Sequence, residues 1–147
     1  MVNMEKNDIK SLLPEELQTL IKEKGLPGYR AGQVFEWLTK GADSFEEMTN
    51  LPAALKDRFE REFCIFGVTI ERKWRSALDN TVKYLYRLHD GEYVEAVLMQ
   101  YHHGYTLCIS TQAGCKMGCT FCATGLGGFR RNLTASEMLS QIQAAQK

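Results

Sequence analysis

Over roughly the first sixty positions the apolar residues recur every three or four places, the spacing of amphipathic helices. In LPEELQTLIKEKG, Leu13, Leu17, Leu20 and Ile21 share one face, Pro14 suits the first helical position, and Gly25 is placed to end the helix. YRAGQVFEWLTKG predicts a second helix, with Val34, Trp37 and Leu38 on its buried side and Gly41 at its end. A third follows Pro52 and aligns Leu55, Phe59 and Phe63, so three apolar stripes can cover one another. GLPGYR, between the first two helices, forces a tight turn and puts Arg30 at the next helix's start. It reads either as a helix end followed by a turn or as a helix amino terminus that could grip a nucleic-acid phosphate.

The pattern then changes to alternation. Val68, Ile70 and Trp74 alternate with Thr69, Glu71, Lys73 and Arg75; Val82, Tyr84, Tyr86 and Leu88 alternate with Lys83 and Arg87; a third run, YVEAVLM, follows. Asp79-Asn80 and Asp90-Gly91 supply hairpin turn chemistry, so the runs predict an antiparallel meander. Glu95 is the only acid in its mostly apolar strand. It either reaches solvent at a sheet edge or is desolvated, and desolvation would raise its pKa toward the range useful for proton transfer. YTLCIS gives one more short strand, a cysteine-rich loop follows, and in NLTASEMLSQIQAAQK Thr134 and Glu137 are spaced as a capping box before a helix containing Met138, Leu139 and Ile142. The fold class is therefore α+β: a helical amino-terminal domain, a meander, then strand, loop and helix.

Composition narrows this little. The 147 residues carry 18 basic against 18 acidic side chains, so global charge names no partner. With 44% hydrophobic residues there is material for a core. The stretch MVNMEKNDIKSLL lacks the basic start and apolar run of an export signal, and no segment is long enough to span a membrane, so a cytoplasmic location is expected. In a reducing compartment, clustered cysteines point to metal binding or reactivity rather than structural disulfides. Cys64, within Phe63-Cys64-Ile65-Phe66, reads as an ordinary core thiol. From Ala96 through Ser136 there is no Asp or Glu, while Lys116, Arg130, Arg131, His102 and His103 lie there together. Such a surface suits a polyanion or an anionic cofactor, the alternative being a solvated basic loop.

Four of the five cysteines fall within fifteen consecutive residues: Cys115, Cys119 and Cys122 read CxxxCxxC, and Cys108 stands apart. Structural zinc sites usually present two paired knuckles, and only one CxxC pair is available, although His103 or Cys108 could complete such a site. Three thiolates instead suit an iron-sulfur cube with one iron left open for a small chelating ligand, such as the amino and carboxylate groups of S-adenosylmethionine. Gly114, Gly118, Gly125, Gly127 and Gly128 allow the backbone to wrap closely, and Phe121 could shield the cluster or face the cofactor.

The string CISTQAGCKMGCTFCATGLGGFRRNLTASE, with its CxxxCxxC core and the aromatic before the last cysteine, closely resembles the RlmN and Cfr family of radical S-adenosylmethionine RNA methyltransferases. RAGQVFEWL, SFEEMTNLP and YLYRLHDGEYVEAVLM also resemble RlmN, the nearer branch, so the likeness covers nearly the whole chain. It implies that Cys115, Cys119 and Cys122 hold a [4Fe-4S] cluster, that Glu95 is the proton acceptor, and that Cys108 is a resolving thiol which frees the methylated RNA from a covalent protein-RNA adduct through a transient disulfide. Residues 1–66 would be an accessory RNA-binding domain, 67–101 a β linker, and 102–147 the start of a radical (β/α) barrel core. The implied reaction methylates carbon 2 of adenosine in large-subunit ribosomal RNA and in tRNA. One S-adenosylmethionine methylates a cysteine, and a second is cleaved to a radical that activates that methyl group. An electron donor such as flavodoxin and a monomeric state are expected. The methyl-carrying cysteine and most of the barrel belong to later parts of the family sequence, so the chain is expected to be an amino-terminal piece without turnover of its own. Two rivals use the same residues: a zinc-stabilised RNA-binding module without catalysis, and a redox thiol protein with a stable Cys108 disulfide.

Overall fold

A computed structural model describes residues 6–147, and the chain divides into two compact units with the boundary between Phe66 and Gly67. The stretch read for an export signal begins outside the described residues.

In the first unit a short strand β1 (Asn7–Asp8) leads through a 3-10 turn to helices α1 (Pro14–Glu23), α2 (Tyr29–Thr39) and α3 (Ala53–Glu62), followed by strand β2 (Phe63–Cys64). The three helices bury the expected stripes, with Leu17, Ile21, Val34, Leu38, Leu55 and Phe59 in one core, except that Leu13, at the cap before α1, is 63% exposed. Phe59 stands between Phe45 and Phe63, with ring centroids 5.6 and 5.7 Å away in tilted and edge-on arrangements, the geometry aromatic rings prefer. Both glycines predicted to end helices do so with positive φ, Gly25 at 71° and Gly41 at 88°. Leu26 N–H donates to Ile21 O and Ala42 N–H to Trp37 O, which closes α1 and α2 with the same wrapped carboxyl-terminal motif. A parallel pairing of β1 with β2 was not foreseen, because two-residue strands carry no period. Cys64 donates its thiol to Lys6 O at 3.3 Å; burial, then the nearby Asp8 charge, pushes its pKa up to about 11, as suits a structural thiol.

The second unit is built on a four-stranded antiparallel sheet in the order β3 (Thr69–Arg75), β4 (Val82–Arg87), β5 (Tyr93–Tyr101), β6 (Gly104–Cys108). Strand β7 (Gln112–Gly114) pairs antiparallel with β8 (Phe129–Asn132); between them lie the cysteine loop and the single-turn helix α4 (Ala123–Leu126), and helix α5 (Ala135–Gln146) closes the chain. The expected segment boundary at 101/102 falls within the β5–β6 hairpin.

Alternation in β4 and β5 reads as predicted: Val82, Tyr84, Tyr86, Val94 and Ala96 face inward and pack with Leu133, Met138 and Ala144. The Tyr84 and Tyr86 rings stack, with centroids 5.5 Å apart and planes inclined by 4°. Tyr86 donates its hydroxyl to Gln141 O at 3.1 Å, and burial raises its phenol pKa to about 12.

Three features depart from the sequence reading. In β3 the register shifts between Ile70 and Arg72, so Ile70 stands opposite Tyr86 while Trp74 stands opposite Lys83. A bulge at Glu71 adds one residue, and with a side-chain period of two it sends Trp74 to the sheet's other face. YTLCIS, expected to lead into the cysteine loop, instead completes the meander as β6, and β7 is the strand before the loop. Finally, α5 buries Ser136, Glu137, Ser140 and Gln141 and leaves Ile142 38% exposed. The reason is polar: Glu137 meets Arg131 and His89, Gln141 meets the Ser110 backbone, and Ser136 lies 3.0 Å from the Thr134 hydroxyl. The predicted capping box is present, with Glu137 N–H donating to Thr134 Oγ1 and Thr134 N–H to Glu137 Oε2.

Glu137 also receives both Nη atoms of Arg131 at 2.8 Å, while Arg131 Nε donates to Asp90 at 2.6 Å and His89 Nδ1 lies 3.1 Å from Glu137 Oε1. Burial alone would raise the Glu137 pKa, but the Arg131 guanidinium, Thr134 N–H and His89 outweigh it and hold the carboxyl below its usual range. A depressed carboxylate contributes stability that is fully present above the unfolded pKa and is lost as pH falls through the folded one. Glu137→Gln should therefore cost about 2–3 kcal/mol near pH 7, less than a fully enclosed pair because Arg131 keeps Asp90 and reaches solvent. Urea unfolding at descending pH should show this deficit shrinking only below the usual carboxylate range; a deficit unchanged at pH 2 would assign the cost to packing instead.

Candidate active site

The cysteine loop is a closed turn between two paired strands. Cys115 N–H donates to Gly128 O at 3.3 Å, which joins the loop's two ends just beyond the β7–β8 pairing. Gly114 has φ 72°, and a Cβ there would fall 1.8 Å from the Gly128 carbonyl oxygen, so no side chain fits. Inside the loop, Cys122 N–H donates to Cys119 O and Gly125 N–H to Cys122 O.

Cys115, Cys119 and Cys122 are half-buried and, like Cys108 and Cys64, free. Met117 N–H points at Cys115 Sγ at 3.5 Å. Backbone N–H groups of Gly125 and Thr124 lower the Cys122 pKa, favouring its thiolate. Among the described residues no three His, Cys, Asp or Glu side chains converge on one single-ion position. The loop's chemistry nevertheless fits a cluster held at three corners: three thiols on one turn, amide donors directed at sulfur, and a glycine where the backbone must close.

A cleft of about 530 Å³ lies alongside, walled by Tyr93, Val94 and Glu95 of β5, by Ser110 and Gln112, and by Thr124, Gly128 and Arg130 from the loop's far side. Thus Glu95 and the cysteine loop border one space. Glu95 is not at an edge, because β5 is an interior strand; its side chain is 48% exposed because that face of the sheet is open, and its carboxylate pairs with Lys83 at 2.7 Å. Cys108 ends β6 opposite Val97, exposed on the same open face. Phe121 stands 91% exposed at the loop's tip.

The basic surface read from the acid-free stretch is largely neutralised. Arg131 is held by Glu137 and Asp90, which raise its pKa further, and Arg130 Nε lies 3.7 Å from Glu92. Those acids come from the β4–β5 turn and from α5, outside the window that looked acid-free. Sequence reasoning missed Ser110 and Gln141 altogether. The buried Gln141 amide takes both backbone groups of Ser110, accepting its N–H at 3.0 Å and donating to its carbonyl at 2.8 Å, while Ser110 Oγ donates to the Glu95 carbonyl at 2.7 Å. A glutamine inside a helix pattern carries no signal of such a clamp.

Residues 7–65 match the family described as the ribosomal RNA large subunit methyltransferase N-terminal domain. A crystal structure of a radical SAM methyltransferase from Sphaerobacter thermophilus matches with a TM-score of 0.83 at 38% identity, over 95% of this chain and 41% of that one. "Probable dual-specificity RNA methyltransferase RlmN" of Alkaliphilus oremlandii is 46% identical over 144 residues, covering 98% of this chain and 42% of the relative. The chain belongs to the RlmN family. A protein of the same description from Lachnoclostridium phytofermentans is 49% identical over 144 residues, covering 97% of this chain and 40% of the relative. The chain thus spans about two fifths of the length of the curated RlmN relatives it matches. Among the described residues no helix is long and apolar enough to cross a membrane.

The loop makes a matched pair of predictions. Gly114→Ala should destabilise the second unit by at least about 2 kcal/mol, through both positive φ and the collision with Gly128. Gly127→Ala, in the same loop but with open space around it and ordinary φ, should stay within about 0.5 kcal/mol. Denaturant midpoints compare them; equal costs would contradict the closed-turn description.

Proposed function

We propose that this chain supplies the cluster loop, the proton acceptor and the resolving thiol of an enzyme that methylates carbon 2 of adenosine in ribosomal RNA and tRNA. The observation that carries the reading is the shared space: Gly114, Ala123, Thr124 and Gly128 of the turn that bears three free thiols line the same cleft as a solvent-reaching carboxylate, Glu95, in a chain of the RlmN family.

Cys115, Cys119 and Cys122 would hold a [4Fe-4S] cluster through three thiolates, with Phe121 covering it. When bound, that cluster and S-adenosylmethionine supply one-electron chemistry able to functionalise an sp2 carbon that ordinary methyl transfer cannot attack. Glu95 takes the proton from carbon 2. Its ion pair with Lys83 orients the carboxylate, and the Ser110 hydroxyl steadies the strand at the Glu95 carbonyl. Cys108, free and exposed at the end of β6, is suited to forming the disulfide that releases the product. The first unit serves as the accessory RNA-binding domain. The GLPGYR turn is closed by the helix-ending motif of α1, and Arg30 donates to Gln33 at 2.8 Å, so a phosphate there would compete with that bond. A cytoplasmic monomer served by a donor such as flavodoxin completes the proposal. The family's methyl-carrying cysteine has no counterpart assigned here, so the 147 residues alone should not turn over.

Anaerobic reconstitution with iron and sulfide tests this. The chain should acquire brown colour and cluster absorption, and Cys119→Ala should lose most of both. Stoichiometric zinc retained in place of iron would favour the non-catalytic zinc module.

A further inference from the structure

Beyond the cleft, the open face of the sheet carries a second arrangement, centred on Trp74. Every residue of the edge strand β3 is exposed, Trp74 to 42%. Its ring has the Arg72 guanidinium 5.5 Å from the centroid and the Lys83 ammonium at 5.6 Å. On this face Arg72 makes no ion pair among the described residues, whereas Glu71 pairs with Arg87 and Glu95 with Lys83; Lys73 and Arg75, opposite Tyr84 and Val82, belong to the sheet's other face, with Lys73 Nζ 5.2 Å from the Tyr84 centroid. Cations on an edge strand are ordinary protection against edge-to-edge pairing. That explains the charge and leaves the indole unexplained, since a large ring left in water adds nothing to such protection. The bulge at Glu71 is what turns Trp74 to this face. Without the extra residue it would point inward with Ile70 and Tyr86.

Trp74 thereby shares a face with both residues assigned to the chemistry. It stands opposite Lys83, Lys83 opposite Val97, and Val97 opposite Cys108. Three interstrand steps of about 4.8 Å put Trp74 about 14 Å from Cys108 across the sheet. Lys83 reaches both ways, over the Trp74 ring and to the Glu95 carboxylate.

We propose that this face is a landing surface for single-stranded RNA, with a nucleobase stacking on Trp74 and a backbone phosphate meeting Arg72 beside it. The inference rests on the RNA-methylating reading above and deepens it, by naming where the strand enters beside Glu95 and Cys108. A stacking aromatic beside a cation without an ion pair is the combination that single strands recognise, because every base has a π face and every linkage a charge. An acidic peptide would use the cations alone.

The test is fluorescence anisotropy of the whole chain with a fluorescein-labelled stem-loop RNA whose loop contains adenine, at several salt concentrations. Trp74→Ala should weaken binding about tenfold, and Trp74→Phe should recover much of it. Arg72→Ala should lower the slope of log affinity against log salt by about 0.7, the value of one lost phosphate contact, and Arg75→Ala, on the other face, should leave it unchanged. In a Trp37→Phe background, RNA should quench the remaining Trp74 emission. RNA binding that Trp74→Ala leaves unchanged overturns the surface while the enzyme reading stands, as does equal binding by a perfect duplex. Absence of RNA binding, or displacement of RNA by an acidic peptide in proportion to charge alone, overturns it as well. Trp74-dependent RNA binding in a chain that takes up zinc and no cluster would keep the surface and remove the enzyme.

Discussion

Helix α5 is held beneath the sheet by polar side chains, and the position of the chemistry follows from that attachment. Glu137 draws Arg131 of β8 and His89 beside the β4–β5 turn to one point, and Gln141 holds both backbone groups of Ser110. The cysteine loop is strung between β7 and β8, immediately beyond the residues so held. Apolar packing alone would let the helix slide along the inner face, since Ala144, Met138 and Leu133 make non-directional contacts. Hydrogen bonds at 2.8–3.0 Å to a named carbonyl and a named amide do not permit sliding. A fully buried Glu137 is expensive to desolvate, which makes the arrangement strict: it is stable only with its partners in place.

Within that frame the loop solves a second problem, how to present three sulfurs on a short turn. Helices and strands would spread CxxxCxxC along an axis. Here Gly114 and Gly128 allow the two ends to close at 3.3 Å, and amide hydrogens inside the turn are free to meet sulfur. Amide donors stabilise thiolate over thiol, so the same backbone that shapes the loop biases its charge toward binding a cationic metal centre.

Much of this was legible in the sequence, for reasons that differ by element. The three helices and the inner face of β4 and β5 are long enough to display their period, and the Thr134–Glu137 capping box is a local signature that the structure reproduces. The two-residue β1 and β2 and the short β7 and β8 display none. Trp74 was placed on the wrong face because alternation assumes no bulge. The acid-free window hides the partners of Arg131, because Glu137 lies one residue beyond its end and Asp90 is 41 residues from Arg131 in the chain. Glu95 shows both limits: its pattern suggested an edge, the family resemblance suggested a proton acceptor, and the interior strand with an open face accounts for the exposed carboxylate without an edge.

The open face owes its composition to register. In β5, Val94 and Ala96 are buried while Tyr93 and Glu95 are exposed, so a one-residue slip would put a carboxylate into the core and two apolar side chains into water. Burying Glu95 unpaired would cost several kcal/mol, and exposing Val94 forfeits about 1.5 kcal/mol or more. Stacked Tyr84 and Tyr86, with the Tyr86 hydroxyl tied to α5, fix the neighbouring strand in the same register. Packing on the inner face therefore decides which residues reach the outer one. Glu95, Cys108 and Trp74 are brought to one surface by a core none of them belongs to.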